Sequence, residues 1–113
     1  MSSPTKLADY FNGKNCAISF ELFPPKTDNG MELLVKNVER LKAFQPSFFT
    51  CTYGAGGSTQ TRTLDVVEKV RQMTGLPVAS HLTCVGSTVE QLRSYLSEAK
   101  KRGADHIVAL RGD

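Results

Sequence analysis

Residues 17–23 read Ala-Ile-Ser-Phe-Glu-Leu-Phe, an apolar, strand-forming run closed sharply by Pro24-Pro25. Three further runs of this kind follow: Phe-Phe-Thr-Cys-Thr-Tyr at 48–53, Pro-Val-Ala-Ser-His-Leu-Thr at 77–83 and His-Ile-Val-Ala-Leu at 106–110. The runs begin at 17, 48, 77 and 106, at steps of 31, 29 and 29 residues. Between them lie segments with helical periodicity. Met31, Leu34, Val38 and Leu41 share one face of a helix expected over 31–44. Leu64, Val67 and Val70 do so in a helix expected over 61–74 and capped by Gly75. Val89, Leu92, Leu96 and Ala99 are the expected inward face of a third helix, stopped by Gly103. Ser87 and Glu90 form its expected capping box. Ser3 and Pro4 are expected to open a short N-terminal helix that runs to Phe11 and stops at Gly13. A near-constant step with one helix between strands predicts repeated βα units and a parallel sheet.

Composition narrows the class. The chain has 113 residues, less than one full domain at roughly 150 residues per domain. Fourteen Lys and Arg against eleven Asp and Glu give a net charge of +3, and 40% of residues are hydrophobic. A disordered tail and a charge-dominated nucleic-acid arm are excluded by that balance. The helix-borne Lys36, Arg40, Lys69, Arg71, Lys100, Lys101 and Arg102 read as a solvated surface without interleaved aromatics, so no nucleic-acid partner is expected. No run nears the roughly 18 apolar residues of a membrane span, and the first residues lack a signal-peptide h-region. A cytoplasmic location is expected, and the terminal Arg-Gly-Asp is not read as an adhesion motif. Cys16, Cys51 and Cys84 are too few and too widely spaced for a disulfide framework or a zinc site. They are expected to be small buried hydrophobes, and no metal site is expected.

Polar residues collect at the C-terminal ends of the strands, where parallel α/β sheets bind ligands. Glu21 lies between Phe20 and Leu22-Phe23. A carboxylate there is costly unless paired, hydrogen-bonded or protonated. Burial among phenylalanines would keep it protonated and suit it to general-acid work; a structural carboxylate paired with an Arg or Lys of a neighbouring strand is the other reading. His81 reads either as a ligand donor or as a satisfied core histidine, and His106 as structural. The loop Gly54-Ala55-Gly56-Gly57-Ser58-Thr59 only partly fits a phosphate-cradling loop, because Thr59 replaces the last glycine of G-x-G-x-x-G, and a plain turn remains open.

Four ordered motifs then carry a resemblance. Phe20-Glu21-Leu22-Phe23-Pro24-Pro25, Thr52-Tyr53-Gly54-Ala55, His81-Leu82-Thr83-Cys84 and His106-Ile107-Val108-Ala109-Leu110-Arg111-Gly112-Asp113 resemble those of the methylenetetrahydrofolate reductase family. The resemblance implies a (β/α)₈ TIM barrel with FAD at its C-terminal edge. It implies reduction of 5,10-methylenetetrahydrofolate to 5-methyltetrahydrofolate by NADH or NADPH through the flavin, in one-carbon metabolism and methionine biosynthesis, by a homo-oligomeric parent. Glu21 matches the family's general acid. Thr52 matches a position near the nicotinamide and flavin. Tyr53, Ala55 and His81 match FAD-contacting positions, and Arg111, Gly112 and Asp113 a flavin-binding turn. Asp113 also matches a carboxylate that tunes the flavin. A whole barrel takes about 250 residues. Residues 1–113 are therefore expected to be a single partial domain: the first half of the barrel, four parallel strands alternating with helices after a short N-terminal helix. Truncation after Asp113 and inactivity in isolation are expected. A non-catalytic half-barrel module that pairs with a second copy, and another flavin or phosphosugar enzyme on the same barrel, are the alternatives.

Overall fold

The computed structural model describes residues 6–11, 13, 16–53 and 60–111. Four strands, β1 (Ser19–Leu22), β2 (Phe48–Cys51), β3 (Val78–Thr83) and β4 (His106–Leu110), alternate with three helices. These are α1 (Asp28–Leu41), α2 (Gln60–Thr74) and α3 (Val89–Lys101). The strands lie in the order β1-β2-β3-β4 and every pair is parallel. This is the expected open α/β sheet, consistent with half of a TIM barrel.

Strand alternation sorts the side chains onto two faces. Phe20 and Leu22 of β1, Phe49 and Cys51 of β2, and Val78 and Leu82 of β3 face the helices and join one core. Val38 of α1, Leu64, Val67 and Val70 of α2, and Ala99 of α3 close it from the other side. Each fully buried Val contributes roughly 1.5–3 kcal/mol. Helix α2 also buries Thr63 and Val66, because it is the middle helix and its sides meet neighbours as well as the sheet. Arg102 reaches from the end of α3 to Asp65 and Glu68 of α2, and Arg71 pairs with Asp105 at 3.6 Å. Burial works against the Arg102 charge, but the two carboxylates outweigh it and raise its pKa above the ordinary value. Arg71 and Arg102 are thus ties between elements and depart from the expected solvated surface.

Local chemistry moved several boundaries. Helix α1 starts at Asp28, ahead of the expected Met31, because the Thr27 hydroxyl accepts from the Gly30 N–H at 3.0 Å and caps it. It ends at Leu41, and residues Lys42–Phe44 tighten into a 3-10 turn. The capping box of α3 lies one residue beyond the expected pair: Thr88 and Gln91 exchange side chain-to-backbone bonds of 3.1 and 2.9 Å. The inward face of α3 is correspondingly Leu92, Tyr95 and Ala99, while Val89 and Leu96 are exposed. The N-terminal segment is a 3-10 helix over Leu7–Phe11, too short to repay α-helix nucleation; residues 1–5 lie outside the described residues. Tyr10 and Phe11 pack their rings on Phe48 at 5.7 and 6.2 Å, at the N-terminal end of β2. Of the cysteines only Cys51 is buried; Cys16 and Cys84 are exposed, against expectation.

Candidate functional site

The face opposite the helices carries Glu21, Thr50, Ala79 and His81, with His106 and Val108 on β4 by register. Glu21 aligns with Thr50, and Thr50 with Ala79. Yet the side chain that Glu21 meets on β3 is His81, two residues further along, with Oε1 and Nε2 3.4 Å apart. A tilt near 36° over two strand spacings of about 4.8 Å advances the contact by about 7 Å, or two residues. Side chains from alternate strands share one layer in a barrel of that tilt, and Glu21 and His81 are such a pair.

The same alternation corrects the expected setting of Glu21. Phe20 and Leu22 flank it in sequence but point to the helices, so Glu21 is not buried among them. Its side chain is 52% exposed, whereas that of His81 is 11% exposed. The partner foreseen for a structural carboxylate was an Arg or Lys; the observed one is a histidine. Behind the pair, burial and then the nearby Glu21 charge push the Cys51 thiol up to about 12. Cys51 is therefore a neutral thiol at neutral pH and no nucleophile.

Thr52 and Tyr53 continue β2 past its last paired residue. The Thr52 N–H donates to the Leu22 carbonyl at 2.9 Å, and the Thr52 carbonyl accepts from the Thr63 hydroxyl at 2.9 Å. These bonds fix the strand exit between β1 and α2. Tyr53 turns to the helix side, where its ring meets the Tyr95 ring edge-on at 5.1 Å and 81°. Ser80 also faces the helices, with its Oγ 2.7 Å from the Tyr95 hydroxyl. Burial first of all pushes the Tyr95 phenol up to about 12. Arg111 follows β4 and is exposed. Ala55, Gly112, Asp113 and the loop 54–59 lie outside the described residues. The structure thus brings together Glu21 and His81 across Thr50 and Thr52, and keeps the Tyr53 ring on the opposite side of the sheet. Sequence reasoning missed Thr50 and Tyr95. Tyr95 had a signal: it is the one aromatic residue of α3, at a spacing shared with Leu92 and Ala99, and a buried hydroxyl needs a partner.

Residues 6–113 match the methylenetetrahydrofolate reductase family. The chain belongs to that family. Within it, the 5,10-methylenetetrahydrofolate reductase of Pectobacterium carotovorum is 42% identical over 96 residues, 85% of this chain and 32% of that protein. The Buchnera aphidicola 5,10-methylenetetrahydrofolate reductase is 42% identical over 108 residues, 96% of this chain and 36% of that protein. A maize relative, methylenetetrahydrofolate reductase (NADH) 1, is 42% identical over 97 residues, 86% of this chain and 16% of its own length. The chain therefore spans about a third of the bacterial methylenetetrahydrofolate reductases it matches and about a sixth of the plant one. Among the described residues no helix is long and apolar enough to cross a membrane.

Proposed function

We propose that residues 1–113 supply the first four βα units of a flavin-dependent barrel that reduces 5,10-methylenetetrahydrofolate to 5-methyltetrahydrofolate with NADH or NADPH. The observation that carries this reading is the Glu21–His81 pair, set on the ligand edge of a sheet of this family. An amine leaves poorly unless it is protonated. Glu21 is the general acid that delivers the proton to the leaving folate nitrogen, opening the five-membered ring to an iminium. His81 engages Oε1 and holds the carboxyl in place, leaving Oε2 as the delivering oxygen. A ligand laid over this open face excludes water from the carboxyl and from the nitrogen it serves.

The residues present suit FAD. Thr52 offers a hydroxyl, His81 a ring nitrogen and Arg111 a positive charge, while Val108 and Leu110 lend apolar surface to a flat ring system. That set matches an anionic heteroaromatic ligand with several hydrogen-bonding atoms. When bound, FAD supplies the hydride drawn from the nicotinamide to the one-carbon bridge of the folate. Ala55, Gly112 and Asp113 are proposed to complete the flavin contacts. The maize relative's name specifies NADH, which favours a nicotinamide reductant here. The remaining barrel strands, a homo-oligomeric parent and a cytoplasmic role in one-carbon metabolism and methionine biosynthesis belong to the same proposal.

The test is a chimera in which this chain replaces the matching 96 residues of the Pectobacterium protein. A folded chimera is expected to bind FAD and to reduce methylenetetrahydrofolate at the expense of reduced nicotinamide. A folded chimera that binds FAD but leaves the folate untouched contradicts the reading.

A further inference from the structure

We infer that Tyr95 is a positioning residue for the ligand edge, holding Tyr53 at the exit of β2 and the His81 main chain in β3 from the helix side of the sheet. The inference rests on the proposed reading of that edge as the flavin and folate site.

Three contacts carry it. The Ser80 hydroxyl donates to the His81 carbonyl at 3.0 Å. That uses its single hydrogen, so in the 2.7 Å Ser80–Tyr95 pair the tyrosine hydroxyl is the donor. The phenol is thereby connected, through two hydrogen bonds, to the residue whose imidazole meets Glu21 on the other face. The third contact is the edge-on Tyr53 ring at 5.1 Å, a geometry worth more than its area burial alone. Leucine in place of Tyr95 could fill space in this core. It could not orient the Tyr53 ring or donate to Ser80 Oγ, which would lose that accepted bond and keep only its own to the His81 carbonyl. Tyr95 therefore joins two neighbouring strand ends that both present residues to one edge.

The chain has three tyrosines, two histidines and no tryptophan, so the ring signals of Tyr53 and His81 are separable by isotope-edited NMR. In Tyr95→Leu, both sets are expected to shift and broaden. In Tyr95→Phe, which keeps the ring and removes the hydroxyl, Tyr53 is expected to hold its position while His81 moves. Val38→Ala, a core truncation in α1, is the control: it lowers the melting temperature and leaves both sets in place. Tyr53 and His81 signals that move no further in Tyr95→Leu than in Val38→Ala overturn the inference. Should Tyr95→Leu fail to fold, an unmoved His81 in Tyr95→Phe does the same. FAD titration of the Pectobacterium chimera carrying each substitution is the second arm. Tenfold weaker binding in Tyr95→Leu with less than twofold change in Val38→Ala supports the positioning role, and equal weakening opposes it. A folded wild-type chimera that binds no FAD counts against the reading of the edge, and the NMR signals still decide the role of Tyr95.

Discussion

Glu21 on β1 meets His81 on β3 across the whole width of β2, with Oε1 and Nε2 3.4 Å apart. In-register pairing would have placed Ala79 opposite Glu21. A two-residue advance is what the strand tilt of a barrel produces, so the contact is consistent with half of a TIM barrel. It also leaves the acidic group beside a nearly buried imidazole and away from the phenylalanines that flank it in sequence.

Capping fixes where α3 begins. Thr88→Ala removes the hydroxyl that accepts from Gln91 N–H, and is expected to destabilise the chain by about 1 kcal/mol. Ser87→Ala, one residue earlier, is expected to change stability by less than about 0.5 kcal/mol. Urea unfolding of the two variants checks the register; equal losses would put the cap elsewhere.

Gly30 reverses a familiar sign. Alanine in a helix is normally favoured over glycine by roughly 1 kcal/mol. Here an added Cβ would meet the Pro25 Cβ at 2.9 Å and the Thr27 Oγ1 at 3.2 Å. A proline ring atom has little room to yield, and the hydroxyl is the cap of α1. Gly30→Ala is therefore expected to destabilise by about 1–3 kcal/mol in equilibrium unfolding.

Alkaline pH attacks the core from behind the site. The Cys51 thiol and the Tyr95 phenol are both pushed up to about 12 in the fold, from 9.0 and 10.0. Both ionise more readily once the chain unfolds, so unfolding releases protons between about pH 9 and 12 and stability falls across that window. Below pH 9 the two groups contribute no slope. The melting temperature followed by circular dichroism is expected to drop steadily above pH 9, and less steeply in the Cys51→Ala/Tyr95→Phe double variant. Parallel slopes for the two proteins would remove these groups as the cause.

Much of this was legible in the sequence. The four strand runs and their near-constant spacing gave the element order and the parallel sheet, because strand-forming runs and turn residues are local signals. The α1 and α2 core faces, around Val38 and around Leu64, Val67 and Val70, followed from helical periodicity. The misses were decided by competition between neighbours. Ser87 and Thr88 can each cap a helix, and only backbone geometry chooses Thr88. Leu96 looked like core because it is apolar, yet Tyr95 lies on the buried stripe, where its hydroxyl finds Ser80. Glu21 looked buried because of its neighbours in the chain, although strand alternation sends them to the other face. The Glu21–His81 contact joins residues sixty positions apart through sheet tilt, and no local pattern encodes that.

The proposed folate reduction depends on Glu21 as the proton donor. In the Pectobacterium chimera, Glu21→Gln keeps shape and hydrogen bonding and removes the acidic proton. We expect folate reduction to fall by on the order of 10²–10⁴, as for loss of a general acid. Oxidation of reduced nicotinamide by an artificial electron acceptor is expected to stay within twofold. Equal losses in the two assays, or folate reduction that survives the substitution, would contradict the role given to this carboxyl.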